Sequence, residues 1–174
     1  MLGYRILNKK AGTTFSGGAN GAIAGEQMRY FAYGSNMGSG QMHERGVRFS
    51  MRESAILDDW RLEFNKQASR NPLEGFANIV PDPGNSVEGA LYEIEAEDLH
   101  KLDHYEGYPE HYTRCEIVVV CNLQHESAVV YVAHQEKVKA GLKPSGEYLS
   151  RIHKGTDLLS DVYLDKLLNF KSLD

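Results

Sequence analysis

The sequence predicts an α+β protein in which a mainly antiparallel sheet of about seven short strands closes into a barrel with helices beside it. Two observations carry this expectation. Most of the apolar, β-rich runs follow one another with only turn residues between them, which favours antiparallel pairing. Helical spacing is confined to a few short segments, near residues 40, 100, 150 and 165. A chain of 174 residues suffices for one domain that buries a core without covalent staples.

The elements follow in order. Tyr30-Phe31-Ala32-Tyr33 is an apolar, aromatic strand that ends abruptly in Gly34-Ser35-Asn36. The glycine lets the backbone turn sharply, and several amides are exposed in succession. Ser39 is a fair N-cap and Gly46 a fair stop for a first helix. A strand, a tight turn and a helix N-terminus in series form a pocket for a carboxylate or an oxyanion. Residues 53–57 and 61–65 alternate as strands joined at Asp58-Asp59, and 67–75 is a polar loop. Residues 77–80 form another strand, ended by Pro81-Asp82-Pro83-Gly84, and 87–94 the next. Residues 95–106 read as a helix with an acidic first turn, Leu99, Leu102 and Tyr105 on one face, and Gly107 as its stop. Strands at 112–121 and 128–133 are joined by a hairpin loop over 122–127. A loop over 137–146 precedes a short helix at 147–154, and Ser160 caps a last helix with Tyr163, Leu164, Leu167 and Leu168 at helical spacing.

Composition narrows the partners. Apolar content of 41% and charged content of 25% are ordinary for a soluble globule. A net charge of -5 without a basic cluster argues against nucleic acid. No apolar run approaches the ~18 residues that span a bilayer, so a cytoplasmic protein with no membrane partner is expected. Cys115 and Cys121 lie on one face of one strand, too far apart to bond each other, and read as buried reduced thiols. Residues 1–27 are a Gly-rich extension that reads as a tag, a flexible segment or a stretch upstream of an alternative start at Met28, with residues 28–174 as the domain. Gly17-Gly18-Ala19-Asn20-Gly21 lacks the Lys and preceding strand of a phosphate loop.

Glu106 is the most promising titratable group. It ends the predicted helix, at the negative end of the helix dipole, and Asp103 adds a like charge on the same face. Both effects favour a carboxyl that holds its proton more tightly, as an acid/base group requires. From the residues alone, a solvated helix-end carboxylate is the favoured reading. Ser35 lacks the Gly-x-Ser-x-Gly surround of a hydrolase nucleophile. His100 and His104 share a helix face, but a third metal ligand is missing, and they read as a solvated pair.

Two segments together carry a resemblance. Tyr33-Gly34-Ser35-Asn36 closes an aromatic strand, and Leu102-Asp103-His104-Tyr105-Glu106-Gly107 is followed by Tyr112. Residues 75–81 and 87–92 lie between them in register. In this ordered set the chain resembles the γ-glutamylcyclotransferase family from about Arg29 to its C-terminus. The resemblance implies a small mixed, mainly antiparallel β-barrel flanked by helices, with the site at one barrel mouth. It implies cyclisation of an L-γ-glutamyl group, with release of 5-oxoproline and a free amine or amino acid. The substrate carries its own nucleophile, so neither a metal nor a cofactor is implied. Glu106 takes the role of general acid/base, and Tyr33, Gly34, Ser35, Asn36, Tyr112 and Tyr148 contact the small-molecule γ-glutamyl substrate. Asn36, where glutathione-specific relatives carry an apolar residue, argues against direct glutathione cleavage. The alternatives are a non-catalytic small-ligand-binding or interaction domain on the same scaffold, and a hydrolase in which Glu106 activates water. A monomer or homodimer is expected, and the leaving amine is unreadable because its half of the pocket comes from loops.

Overall fold

The computed structural model describes residues 5–6 and 25–174. Most of the expected Gly-rich extension, and the phosphate-loop segment at 17–21, lie outside the described residues. The strands are β1 (Arg5–Ile6), β2 (Gln27–Ala32), β3 (Phe49–Gln67), β4 (Gly75–Glu95), β5 (Tyr112–Cys121) and β6 (Gln124–Ala133). The helices are α1 (Ser39–Glu44), α2 (Leu99–Glu106), α3 (Gly146–His153) and α4 (Asp161–Leu168).

β5, β3, β4, β2 and β6 are hydrogen-bonded in that order, and β6 returns to β5, so five strands close a barrel; β1 adds to β5. Among the described strands every pairing is antiparallel except β2 with β6, which run parallel through Tyr30 and Val129. The predicted mixed, mainly antiparallel barrel flanked by helices is the observed architecture. Phe31, Ile79, Leu91, Tyr92, Ile94 and Val130 of the strands are fully buried, and Leu102 of α2 and Ile152 of α3 pack into the same core cluster.

Two corrections concern strand length. Residues 53–57 and 61–65 belong to one 19-residue strand, and 77–80 and 87–94 to one of 21. Asp59 has a φ of 65°, and the register passes from Asp58↔Ser86 to Trp60↔Pro81. Residues 82–85 are thus taken up opposite Asp59 as a wide bulge, tied by the Gly84 N–H to Asp59 Oδ1 at 3.0 Å. Proline and aspartate are turn signals in sequence, but a bulge uses the same chemistry to bend a ribbon without ending it. The expected hairpin loop at 122–127 shrinks to Asn122-Leu123, both with positive φ, and β6 starts at Gln124. That two-residue turn matches the twist of its strands, and Leu at its second position gave no signal for it.

α2 is pinned to the barrel at both ends. At its start Asp98 is buried and accepts from the Arg48 backbone N–H at 2.8 Å and from Arg48 Nε at 2.9 Å, with Lys101 Nζ at 2.7 Å. At its end Asp103 accepts from Arg114 Nε at 2.8 Å and from the Tyr131 hydroxyl at 2.8 Å. Gly107 ends the helix in the left-handed region, φ 65°, where a side chain is strained. The Tyr108–Pro109 peptide after it is cis. The predicted cap Ser160 accepts the Tyr163 N–H at 3.2 Å, and Ser145, for which no cap was expected, accepts the Tyr148 N–H at 3.2 Å.

Candidate active site

β2 delivers Tyr33 into the barrel mouth, where its hydroxyl donates to the Tyr131 carbonyl at 2.6 Å. The chain then turns through a single 3-10 turn, Ser35–Met37, closed by the Met37 N–H to Gly34 O at 3.0 Å. The first amides of such a turn have no acceptor within it. A Cβ at Gly34 would lie 3.2 Å from Ala77 Cβ and 3.4 Å from the Tyr148 hydroxyl, so glycine permits the close passage. The turn is held from behind: the Met37 carbonyl accepts from Arg52 Nε at 2.9 Å and from the Tyr92 hydroxyl at 2.7 Å.

Glu106, the last residue of α2, meets this turn. Its Oε1 accepts from Asn36 Nδ2 at 3.0 Å and from Arg45 Nη1 at 2.9 Å, while its Oε2 has no hydrogen-bond partner among the described residues. Asn36 is buried and also donates to the Tyr30 hydroxyl at 2.8 Å; its Oδ1 is buried without a partner. Around these groups stand Tyr30, Tyr33, Tyr112, Tyr131 and Tyr148. The Tyr112 hydroxyl donates to Ala77 O at 2.9 Å, and the Tyr148 hydroxyl accepts from Ala77 N–H at 3.2 Å. Burial pushes Tyr148 up to about 12, and burial reinforced by the Glu106 charge holds Tyr33 well above the usual tyrosine range. At neutral pH these hydroxyls are therefore neutral hydrogen-bonding groups.

The site has an inner cleft of about 30 Å³ and an outer cavity of about 340 Å³, which share Ser35, Glu106, Tyr112 and Tyr148. Each residue expected at the site, Glu106, Tyr33, Gly34, Ser35, Asn36, Tyr112 and Tyr148, lines one or both. One expected feature is corrected. Asp103 is ion-paired with Arg114 and accepts from the Tyr131 hydroxyl, and the charge in contact with Glu106 is the cation of Arg45. His104 lines the outer cavity, where a solvated pair with His100 was expected. Among the described residues no group of three or more His, Cys, Asp or Glu is placed to hold a metal ion. Cys115 and Cys121 are free and buried, and burial pushes both thiols up to about 11.

Sequence reasoning missed Arg45, Lys66, Tyr30, Tyr131 and His111, all of which line the cavities. Lys66 left one signal: it shares strand parity with Phe64, so a lysine occupies a position of the inward series. Arg45 left none, because its partner lies 61 residues away.

The chain is similar to known proteins. Residues 30–150 match the family model described as "Gamma-glutamyl cyclotransferase, AIG2-like". Gamma-glutamylcyclotransferase of Bos taurus is 29% identical over 135 residues, 75% of this chain and 71% of that protein. The Homo sapiens protein of that name is 32% identical over 85 residues, 47% of this chain and 45% of its own length. A solved structure of a gamma-glutamyl cyclotransferase superposes with a TM-score of 0.76 at 26% identity, covering 86% of this chain and 90% of that one. YkqA from Bacillus subtilis superposes with a TM-score of 0.74 at 24% identity, covering 84% of this chain and 56% of that one, and bears on the fold alone.

Proposed function

The chain belongs to the gamma-glutamyl cyclotransferase, AIG2-like family, and on that premise we propose that it cyclises L-γ-glutamyl amides to 5-oxoproline, with Glu106 as general acid/base. The observation that carries the reading is the Glu106 carboxylate, fixed on one oxygen by Asn36 and Arg45 at the wall common to both parts of the cavity, with the second oxygen unengaged.

The substrate's α-ammonium gives a proton to Glu106 Oε2, and the freed amine attacks the γ-carbonyl carbon. A C–N bond forms, the carbonyl oxygen takes the charge, and the amide C–N bond to the leaving amine then breaks. The ammonium loses two protons on its way to the lactam N–H, and the leaving nitrogen gains two on its way to an ammonium. Glu106 shuttles both, which suits a carboxylate that is neither buried away from the cavity nor fully solvated. The backbone of the turn at Ser35 and Asn36 offers amides to the oxyanion. The tyrosine hydroxyls and the narrow inner cleft hold the glutamyl chain curled, and bringing the two ends together supplies much of the rate.

The test is 5-oxoproline release from γ-glutamyl-alanine, γ-glutamyl-ε-lysine and glutathione by wild type and Glu106→Gln. The expected result is turnover of at least one member and a loss of about a hundredfold or more in the folded variant. Undiminished turnover by folded Glu106→Gln overturns the role of Glu106. Release of free glutamate without 5-oxoproline assigns water as the nucleophile instead.

A further inference from the structure

We infer that Lys66 selects the leaving half of the substrate by pairing with a carboxylate on the departing amine, so that γ-glutamyl amino acids are taken in preference to γ-glutamyl derivatives of uncharged amines. The inference rests on the cyclotransferase reading of the site. Lys66 is 4% exposed, on the stretch of β3 paired with Phe76, and it lines the outer cavity but not the inner cleft. Its ammonium lies 5.4 Å from the ring centre of Phe76 and 5.8 Å from that of Tyr112. Among the described residues no carboxylate stands within ion-pair distance of it.

The other cations of the cavity are engaged. Arg45 is on Glu106 at 2.9 Å, and Arg151 is 3.8 Å from Glu147 and 5.5 Å from the ring centre of Tyr148. Among the described residues Glu106 is the one acidic group lining the cavity, and it is paired with Arg45. A buried ammonium that lies against two ring faces without an ion-pair partner, with the Glu106 charge only acting on it from beyond pairing distance, is incompletely compensated for the water it has lost. Burial accordingly pushes Lys66 below the usual lysine range, and an anion seated beside it would reverse that. A second group points the same way. Nδ1 of His111, which lines the same cavity, is buried without a partner. In its Nδ1-protonated tautomer it is a donor for one oxygen of a bound carboxylate.

The geometry fixes which anion this is. The reacting amide must lie at Glu106, where the two parts of the cavity meet. The glutamyl half then extends inward past Tyr33 and Asn36, and the leaving half outward past Lys66. An amino acid leaving group carries its carboxylate two bonds from the departing nitrogen. A simple alkylamine carries none and leaves Lys66 as it stands.

The experiment measures dissociation constants of γ-glutamyl-alanine and γ-glutamyl-ethylamide by calorimetry. The proteins carry Glu106→Gln, with Lys66 intact, Lys66→Met or Lys66→Arg, and wild-type release of 5-oxoproline is followed in parallel. The alanine compound is expected to bind at least about tenfold tighter when Lys66 is intact. The ratio falls toward one in Lys66→Met and is largely restored in Lys66→Arg. A ratio unchanged by Lys66→Met, or both ligands weakened alike, overturns the inference; the latter would put the glutamyl carboxylate on Lys66. Turnover without the Lys66-dependent ratio overturns the inference alone. The ratio without turnover overturns the cyclisation reading and leaves Lys66 as the reader of the anion. Failure of both ligands to bind overturns both.

Discussion

Glu106 has both of its hydrogen bonds on one oxygen, so its orientation depends on two residues that do not touch the rest of the substrate path in the same way. Asn36 is backed by Tyr30, whereas Arg45 comes from the end of α1 and also lies over the Tyr105 ring, 4.6 Å from its centre. Arg45→Met should therefore lower kcat about tenfold by loosening the carboxylate, with a smaller change in KM, because orientation of a reacting group acts on the chemical step. Steady-state kinetics beside a melting curve checks this: a KM effect alone would place Arg45 in binding. At this scale the sequence was partly legible. Glu106 stood out by its place before a helix-stopping glycine, and the tyrosines and Asn36 by their motif register. Arg45 and Lys66 did not, since each owes its role to a residue brought close only by the closed barrel, and no spacing along the chain records that.

The helix that carries Glu106 owes its position to its ends. The Arg48 guanidinium, with Lys101 beside it, holds the Asp98 carboxyl well below the usual carboxylate range. A carboxyl whose folded value is depressed stabilises the protein above its unfolded value and loses that contribution as the pH falls. Wild type should thus lose stability below about pH 4, the ordinary aspartate value. Asp98→Asn should flatten that loss, while lowering stability at pH 7 by about 2 kcal/mol through weakened charge-assisted hydrogen bonds. Urea titrations at pH 7 and pH 3.5 read both effects, and equal acid sensitivity in the two proteins would refute the assignment. At the other end, a Cβ on Gly107 would meet the His111 ring at 2.7 Å, on a backbone with φ 65°. Gly107→Ala should cost about 1 kcal/mol from backbone strain alone, or a fall of about 2–4 °C in Tm. It should also lower activity by displacing the last residue of α2; calorimetry and 5-oxoproline release check it together. The helix stops and the Ser160 cap were readable because each is written within four residues; Ser39 instead lies inside α1, whose N-cap is Gly38, and Glu97 and Asp98 fall in a 3-10 turn ahead of α2. The merged strands were not, because bulge and turn draw on the same prolines, glycines and aspartates, and only the partner strand distinguishes them.

Across the whole molecule, the cavities draw on residues from Tyr30 to Arg151, supplied by β2, β3, β4, β5, β6, α2, α3 and the segments between them. The barrel was legible from the succession of strands, and its one parallel contact was not, since β2 and β6 carry no mark of their meeting. That contact has a consequence for how the chain folds. The β3–β4 ribbon is a hairpin, joined through a short connection between Gln67 and Gly75, and its ladder grows from near neighbours. The Tyr33–Tyr131 bond and the β2–β6 contact instead close a loop of about a hundred residues, with a separation of 98 for the tyrosine pair. Contacts at that distance bear a larger entropic cost before they contribute, so they form late. In a refolding experiment, far-UV ellipticity should rise ahead of recovered enzymatic turnover, because the ribbon supplies most of the first signal and closure alone supplies the second. Simultaneous recovery would show closure to be part of the folding nucleus. In the expected order, an intermediate already rich in sheet has no reaction centre, and catalysis begins only when the two ends of the barrel meet.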